Sequence, residues 1–507
     1  MKDSSSRDSG FQQGLRTSAT AALLAVVIWT MGSAQAATVL TYNSGGNPGW
    51  FGANAWSVTP PADPPTYGIW ASGSSAVVNT TSNTLVTLTD STNVANLTLN
   101  GTGSTITVQG ETSVRVLQMS GGTLSVTNNT NGVIFGARAV IQGSYTFDTN
   151  GWLRPNSTLS QAYVGTATVQ TGRIHYTHPT NQIGSQSNFV ITGGEVAMER
   201  SGATMGSLTL NTGSFILGRS GTNEHTFTIE TTRLAGNGAT ARIQTQGNSP
   251  TPSIHTFLVN QSDNTTYAGR ILGTPAVAGE SNRLVFQKDG DGDLTLTGQL
   301  DLRRTTTIDD GRLYINSTNT NFQDEIGSTA ISVTGGVLGG TGTITLGLND
   351  NVVVGTDGAL SAGIEGAVGL TTYDFDGGIL NLSAATASAN TGWLRFDLGA
   401  DSLAGINYDQ ILLTGGSLNL GTGLNFSAFD FNLLAGFGTG TYVLFDTGSA
   451  IAGSLGMATG TLGGYDASLA IVGNNLVLNV SIIPEPSSMA LLFAGAAALA
   501  FLRRRLA

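Results

Sequence analysis

From about Val77 to Val480 the chain alternates apolar and polar residues in short runs. Examples are Leu97-Thr98-Leu99, Ile106-Thr107-Val108, Leu124-Ser125-Val126, Leu208-Thr209-Leu210, Leu294-Thr295-Leu296, Ile344-Thr345-Leu346, Leu380-Asn381-Leu382 and Leu418-Asn419-Leu420. Successive side chains on a strand point to opposite faces, so each run predicts a half-buried β-strand. Almost every run is bounded by Gly, Asn or Asp-Gly turn chemistry. Outside the two termini no amphipathic helical pattern emerges.

A second pattern is superimposed. A Thr/Ser/Asp-Gly unit followed by alternating apolar positions recurs at Gly121, Gly172, Gly194, Gly213, Gly311, Gly336, Gly378 and Gly416. From Gly172 to Gly213 and from Gly311 to Gly416 the intervals are about twenty residues or about twice that, which matches a solenoid period. One such unit holds two or three strands of four or five residues and cannot bury its apolar side alone. Coiling the units stacks each strand on its equivalent about 4.8 Å further on, and the inward Leu, Val and Ile form a continuous ladder with glycine at the corners. The expected class is all-β, a parallel β-helix of about twenty coils and a length on the order of 100 Å.

The termini read as transport segments. Lys2, Arg7 and Arg16 precede an apolar run from Ala19 to Met31, and Ala34-Gln35-Ala36 places small residues at Ala34 and Ala36, the two positions signal peptidase reads. Cleavage after Ala36 is expected. At the other end Pro484-Glu485-Pro486 precedes an apolar run from Met489 to Leu502 and the basic stop Arg503-Arg504-Arg505. This pattern predicts a transmembrane helix at the thin limit of a spanning segment, with the arginines at the cytoplasmic face. In its three parts and their order the tail resembles the PEP-CTERM sorting signal of Gram-negative bacteria. The resemblance implies an exosortase acting near Pro484-Glu485-Pro486, transient contact with the inner membrane, and delivery to the cell surface or an extracellular matrix.

Composition changes the picture in three ways. Charged residues are only 10% of the chain and there are 70 glycines, leaving few groups for acid–base work and many turns. There is no cysteine, which excludes disulfides, zinc–thiolate sites and cysteine nucleophiles. The net charge is −11, and both transport segments are net positive, so the body between them is more acidic still. Nucleic acid is therefore not an expected partner.

The stretch Asn264–Ile271, then Leu284–Gly298 with Lys288-Asp289-Gly290-Asp291-Gly292-Asp293, then Thr307–Leu313, resembles the autotransporter-associated β-strand repeat. Val337–Ile344 and Tyr408-Asp409-Gln410-Ile411 share the resemblance. It implies a right-handed parallel β-helix, as in autotransporter passengers. Where an autotransporter carries a membrane barrel this chain has the arginine-flanked tail, so the expected route is sorting rather than self-export. The expected division is a signal peptide over 1–36, an N-terminal β cap over 37–110, a β-helix over 111–420, a C-terminal β cap over 421–483 and the sorting segment over 484–507.

Candidate chemistry is sparse. Trp50, Trp56 and Trp70, with Pro60, Pro61, Pro64 and Pro65, suit either a cap on the first coil or a sugar-stacking platform. Phe426, Phe429, Phe431 and Phe437 read as the opposite cap. Asp289, Asp291 and Asp293 resemble the opening of a calcium loop. Leu294 and Leu300, however, stand where such a loop needs Gly and Glu, so a structural turn is the competing reading. His175 and His178, like His225 and His255, read as surface polar residues. Glu195, Glu199 and Arg200 form the densest mid-chain cluster, expected on a solvated face. No G-x-S-x-G elbow or P-loop occurs. The function expected is that of a non-enzymatic exported solenoid, without cofactors, acting structurally or adhesively with exopolysaccharide or neighbouring cells. Signal peptidase and an exosortase are its expected partners during export. A carbohydrate-active β-helix enzyme, lyase or hydrolase, is the alternative.

Overall fold

A computed structural model describes short strands between residues 39 and 88, most positions from 91 to 273, nearly all from 283 to 483, and the helix 488–505. The chain is mostly β, with long parallel sheets. Strand Arg115–Thr127 pairs in parallel with Ala139–Phe147, which pairs with Tyr163–Val169, which pairs with Ile183–Met198. Each step advances the chain by about twenty residues, as the glycine spacing predicts, and this is the pairing a solenoid requires.

The inward ladder is continuous. Leu97 pairs with Leu124, then Phe147, Val169, Ile191 and Leu210 follow on successive strands, and all six are fully buried. Residues two apart on each strand share this inward face, which is why the Leu-x-Leu runs of the sequence become stacks. The interior is not purely aliphatic. Phe215, Phe257 and Phe286 stack with ring centroids 5.9 and 6.4 Å apart, and Lys288 occupies the inward column between Val259 and Ile308.

From Thr265 a separate seven-stranded parallel sheet joins the stack: Thr265–Tyr267, Asp293–Leu296, Arg312–Ile315, Val337–Gly339, Ala359–Ser361, Leu394–Leu398 and Phe429–Leu433. Its inward column is Leu294, Leu313, Leu338, Leu360, Leu394 and Phe429. Its outward column includes Tyr314, Ser361, Arg395 and Asp430, and that face carries the site described below.

The corners explain the glycines. Gly213 adopts φ +80°, a conformation that costs little only without a side chain. At Gly336 close approach matters instead, since a Cβ would lie 2.7 Å from Ile308 Cγ2. Contrary to the expectation of no internal helix, Ser383–Ala387 forms a single helical turn with Ala385 buried. Both ends turn antiparallel. Val39–Tyr42 pairs with Trp56–Thr59, and Gly440–Thr447 pairs with Asn475–Ile482, which pairs with Tyr465–Val472.

Candidate functional site

Above the outer face of the seven-stranded sheet lies a groove of about 580 Å³. Its floor and walls carry five carboxylates, Asp293, Glu365, Asp397, Asp409 and Asp430, and two guanidinium groups, Arg312 and Arg395. Tyr314 supplies aromatic surface, while Phe396 and Phe431, level with each other in the parallel register, turn inward with Leu394 and Phe429. The outward side chains come from successive strands because the period of two sends Arg395 and Asp397 outward while Leu394 and Leu398 go in.

One wall is the segment 362–369, between strands Ala359–Ser361 and Leu370–Asp376. The Glu365 carboxylate reaches across the sheet to Arg312 Nη2 at 2.7 Å and Arg395 Nη1 at 3.1 Å, and Arg312 Nη1 also meets Asp293 at 3.2 Å. The Tyr314 hydroxyl is hydrogen-bonded to the backbone of Glu365, and burial raises its pKa.

At the back of the groove Asp409 joins three segments. Its Oδ1 accepts the Gly369 N–H at 2.6 Å and its Oδ2 accepts the Asp397 N–H at 2.8 Å. Burial pushes the Asp409 carboxyl up to about 8, the nearby Asp397 charge adding to the rise while the two main-chain bonds oppose it. On either side, Tyr408 packs edge-on against Tyr442 at 5.1 Å, and the Gln410 amide donates to the Val443 carbonyl at 3.2 Å. The Tyr408-Asp409-Gln410 run is thus a clasp between neighbouring coils. Asp397 is 3% exposed; its Oδ1 accepts the Asn432 amide at 2.6 Å, while its Oδ2 accepts no hydrogen bond from any described residue.

The Asp289–Asp293 turn is organised around a cation of its own. The fully buried Lys288 side chain emerges from the inward column and donates to the carbonyls of Asp289 at 2.8 Å, Gly290 at 2.6 Å and Asp310 at 3.3 Å. Desolvation lowers its pKa to about 8, against the pull of the surrounding carboxylates. Asp289 caps the Gly290 N–H at 2.8 Å and Asp293 faces Arg312, so these carboxylates are divided among other partners. Among the described residues no group of three or more His, Asp or Glu could hold a metal ion.

Glu195 and Glu199 are not on a solvated face. Glu195 stacks on Arg173 in the parallel register and accepts its Nη2 at 2.8 Å, and Glu199 lies 3.2 Å from His175 Nε2. The Arg173 guanidinium in turn lies 4.6 Å from the Trp152 ring centroid, a cation–π contact. His175 and His255 are buried rather than at the surface, His255 against Phe227 at 4.5 Å. His178, His225 and Arg200 lie outside the described residues. Val196 stacks in turn on Phe215, Ile243, Ile271 and Leu300, so four strand spacings, about 19 Å, separate the Glu195 strand from the coil holding Asp289. These carboxylates do not converge.

The grouping of these residues escaped the sequence reading, although Asp293, Asp409 and Phe431 were each singled out, because they are spread from Asp293 to Asn432 and meet only through stacking. A signal was present in Tyr408-Asp409-Gln410, whose acid is separated by one residue from the apolar strand positions Ile411, Leu412 and Leu413.

At the C-terminus, Ser488–Arg505 is an 18-residue helix with Arg503, Arg504 and Arg505 exposed in its last turn, where positive charge complements the helix dipole. The expected transmembrane helix is corrected here. No described helix is long and apolar enough to cross a membrane, since the stretch before the arginines, Ser488–Leu502, covers about 22 Å against a hydrocarbon core of about 30 Å. Pro484, Glu485 and Pro486 lie outside the described residues, as do Ala34, Ala36, Trp50 and Trp70. Trp56 falls in strand Trp56–Thr59.

Compared with known families, residues 483–505 match the model of the PEP-CTERM protein-sorting motif. The tail is a PEP-CTERM sorting signal. It is recognised by exosortase and directs export to the cell surface. No curated protein matches the chain.

Proposed function

We propose that this chain is a right-handed β-solenoid of the autotransporter-associated repeat type. It acts as a structural or adhesive component of the cell surface or extracellular matrix, in association with exopolysaccharide or neighbouring cells. One observation carries the reading: an uninterrupted parallel stack with a sorting signal at its end. A stack of this kind is a rigid spacer whose outer face carries polar pairs between neighbouring strands. Asn321 donates to Asp301 at 3.0 Å on the next strand, Thr414 to Asp374 at 2.6 Å, and Asn419 to Asn381 at 3.2 Å. Repeats of weak polar contacts bind polymers through multivalency, with no single strong site needed.

The reading is non-enzymatic. A lyase or hydrolase needs carboxyl groups free to exchange protons with substrate. In the groove Asp409 has both oxygens committed to main-chain N–H groups, and Glu365 is clamped between two arginines.

The test is fractionation of cells producing the full chain or a chain lacking 483–505. The full chain is expected in the surface and matrix fractions, in amounts that fall when exopolysaccharide is removed. Equal surface display of the truncated chain, or matrix retention indifferent to polysaccharide, contradicts the proposal. Release of new reducing ends from a polysaccharide by the purified chain favours the enzyme.

A further inference from the structure

We infer that the last strand of the seven-stranded sheet, Phe429–Leu433, is a docking edge for one extended segment of a partner protein, apolar at alternate positions and basic between them. The inference goes beyond the proposed function and does not depend on it.

The edge follows from the register. Phe429–Leu433 pairs in parallel with Leu394–Leu398, with Phe431 level with Phe396. In a parallel ladder alternate residues of a strand turn both main-chain groups to the same neighbour. The Leu434 N–H donates to the Leu398 carbonyl at 2.8 Å, so Asp430 and Asn432 turn toward Leu394–Leu398 while Phe431 and Leu433 turn away. No described strand pairs on that far side, and the N–H and C=O groups of Phe431 and Leu433 have no partner among the described residues. Main-chain groups left unpaired must be met by water or by another chain.

Other strands at this end are protected. Gly440–Thr447 is covered by Asn475–Ile482, and Ala452–Leu455 carries Gly453 at φ +101° in an irregular register. Phe429–Leu433 keeps a regular register and contains neither Pro, Gly nor Lys. The hairpin Thr459–Val472 comes close to the side chains of Phe426 at Gly460 and of Leu433 and Phe437 at Gly463, but it adds no strand to this sheet.

Side-chain alternation sets what the segment must carry. Phe429, Phe431 and Leu433 turn inward, and Phe431 and Leu433 are only partly covered. Incoming residues level with them extend the inward ladder and are apolar. Asp430 and Asn432 are exposed on the outer face. Asp430 is level with Arg395, yet that guanidinium is turned onto Glu365, and Asp430 has no ion pair among the described residues. A Lys or Arg level with Asp430 therefore finds an opposite charge directly across the strands, whereas an acid meets repulsion. The chain's net charge of −11 acts in the same direction.

The experiment uses the purified full chain and two synthetic peptides, acetyl-Thr-Val-Lys-Val-Thr-Val-Lys-Val-Thr-amide and the same peptide with Glu in place of Lys. Calorimetry reads affinity, and deuterium exchange resolved by fragment mass spectrometry reads the main chain over Phe429–Leu433. The lysine peptide is expected to bind, to slow exchange over this strand, and to bind several-fold tighter than the glutamate peptide. Asp430→Asn should remove that preference. Leu433→Pro should weaken binding by about tenfold, because it deletes an N–H on the free edge while the ladder to Leu394–Leu398 uses Asp430, Asn432 and Leu434. Unchanged melting temperatures check both folds; if Leu433→Pro melts early, Asp430→Asn and the exchange pattern of the parent decide. No binding of the lysine peptide, binding without slowed exchange over the strand, or equal affinity for the two peptides overturns the proposal. A dimeric chain whose Phe431 and Leu433 amides are already protected also overturns it, because a second copy then fills the edge. Surface and matrix fractionation is untouched by any of these results, so the two readings fail separately.

Discussion

The carboxylate of Asp409 accepts the backbone N–H of Gly369 at 2.6 Å, forty residues upstream. This bond ties the end of the segment 362–369 to the strand that follows the next coil, and it does so inside the protein. The Asp409 carboxyl is raised to about 8 from an ordinary 3.8, with burial as the main cause. The unfolded chain therefore ionises this group near 3.8 and the folded chain only near 8, so unfolding releases a proton between those values. Stability contributed by the neutral acid is full below pH 4 and falls as pH rises towards 8, then levels. Asp409→Asn should flatten the slope of melting temperature over pH 4–8. It should also cost about 1–2 kcal/mol at pH 5 through the lost acceptor. An unchanged slope in the variant places the titration elsewhere.

Lys288 has the opposite sign. Its pKa is lowered to about 8 from 10.5, so between those values the unfolded state holds a proton that the folded state has lost. Stability from this group thus rises with pH from 8 to 10.5. Lys288→Met keeps most of the buried stem but leaves three carbonyls without a donor, at a cost of about 1–3 kcal/mol at pH 7. Chemical denaturation at pH 7 and pH 10 measures both effects. A variant as stable as the parent at pH 7 would falsify the view that the ammonium organises the turn.

The two lysine and aspartate results also show what the sequence made legible. Strand positions, the period near twenty and the inward Leu-x-Leu ladders follow from alternation and glycine spacing, because both reflect local geometry. Lys288 looked like one more turn residue, since nothing in a linear reading shows an ammonium turning back from an inward column to corner carbonyls. His175 and Glu199 read as surface residues for the same reason: their partners stand on neighbouring coils. The groove is the extreme case. Asp397 and Asn432 are 35 positions apart yet directly opposite in the parallel register, and only the lengths of the intervening excursions bring them level. The tail was legible as an address from three local features, but its three arginines shorten the apolar span below what crossing needs.

Glu365 should matter to local order more than to global stability. Its carboxylate is 45% exposed, so its pairs with Arg312 and Arg395 are screened and worth about 0.5–1 kcal/mol. Glu365→Gln is expected to lower the melting temperature by no more than a few degrees while amide exchange across 362–369 accelerates severalfold. A large fall in melting temperature with unchanged exchange would mean that the segment is held by Tyr314 and Asp409 alone.

Gly336 gives the cleanest test of the stacked corners. A methyl group there would sit 2.7 Å from Ile308 Cγ2 and 2.9 Å from the Gly311 carbonyl oxygen on the coil before. That carbonyl already accepts the Val337 N–H at 2.9 Å, so it cannot withdraw without breaking the ladder beside it. Ile308 is fully buried in the inward column and has little room to rotate. Gly336→Ala should therefore destabilise by about 1–3 kcal/mol, the usual cost of overpacking. Gly438→Ala is the control, because a Cβ there meets nothing within 4 Å. Denaturant midpoints of the two variants should differ in that order. Equal midpoints would mean that the coils can spread to admit a methyl group, and that the glycines mark flexibility rather than the close approach of one corner to the next.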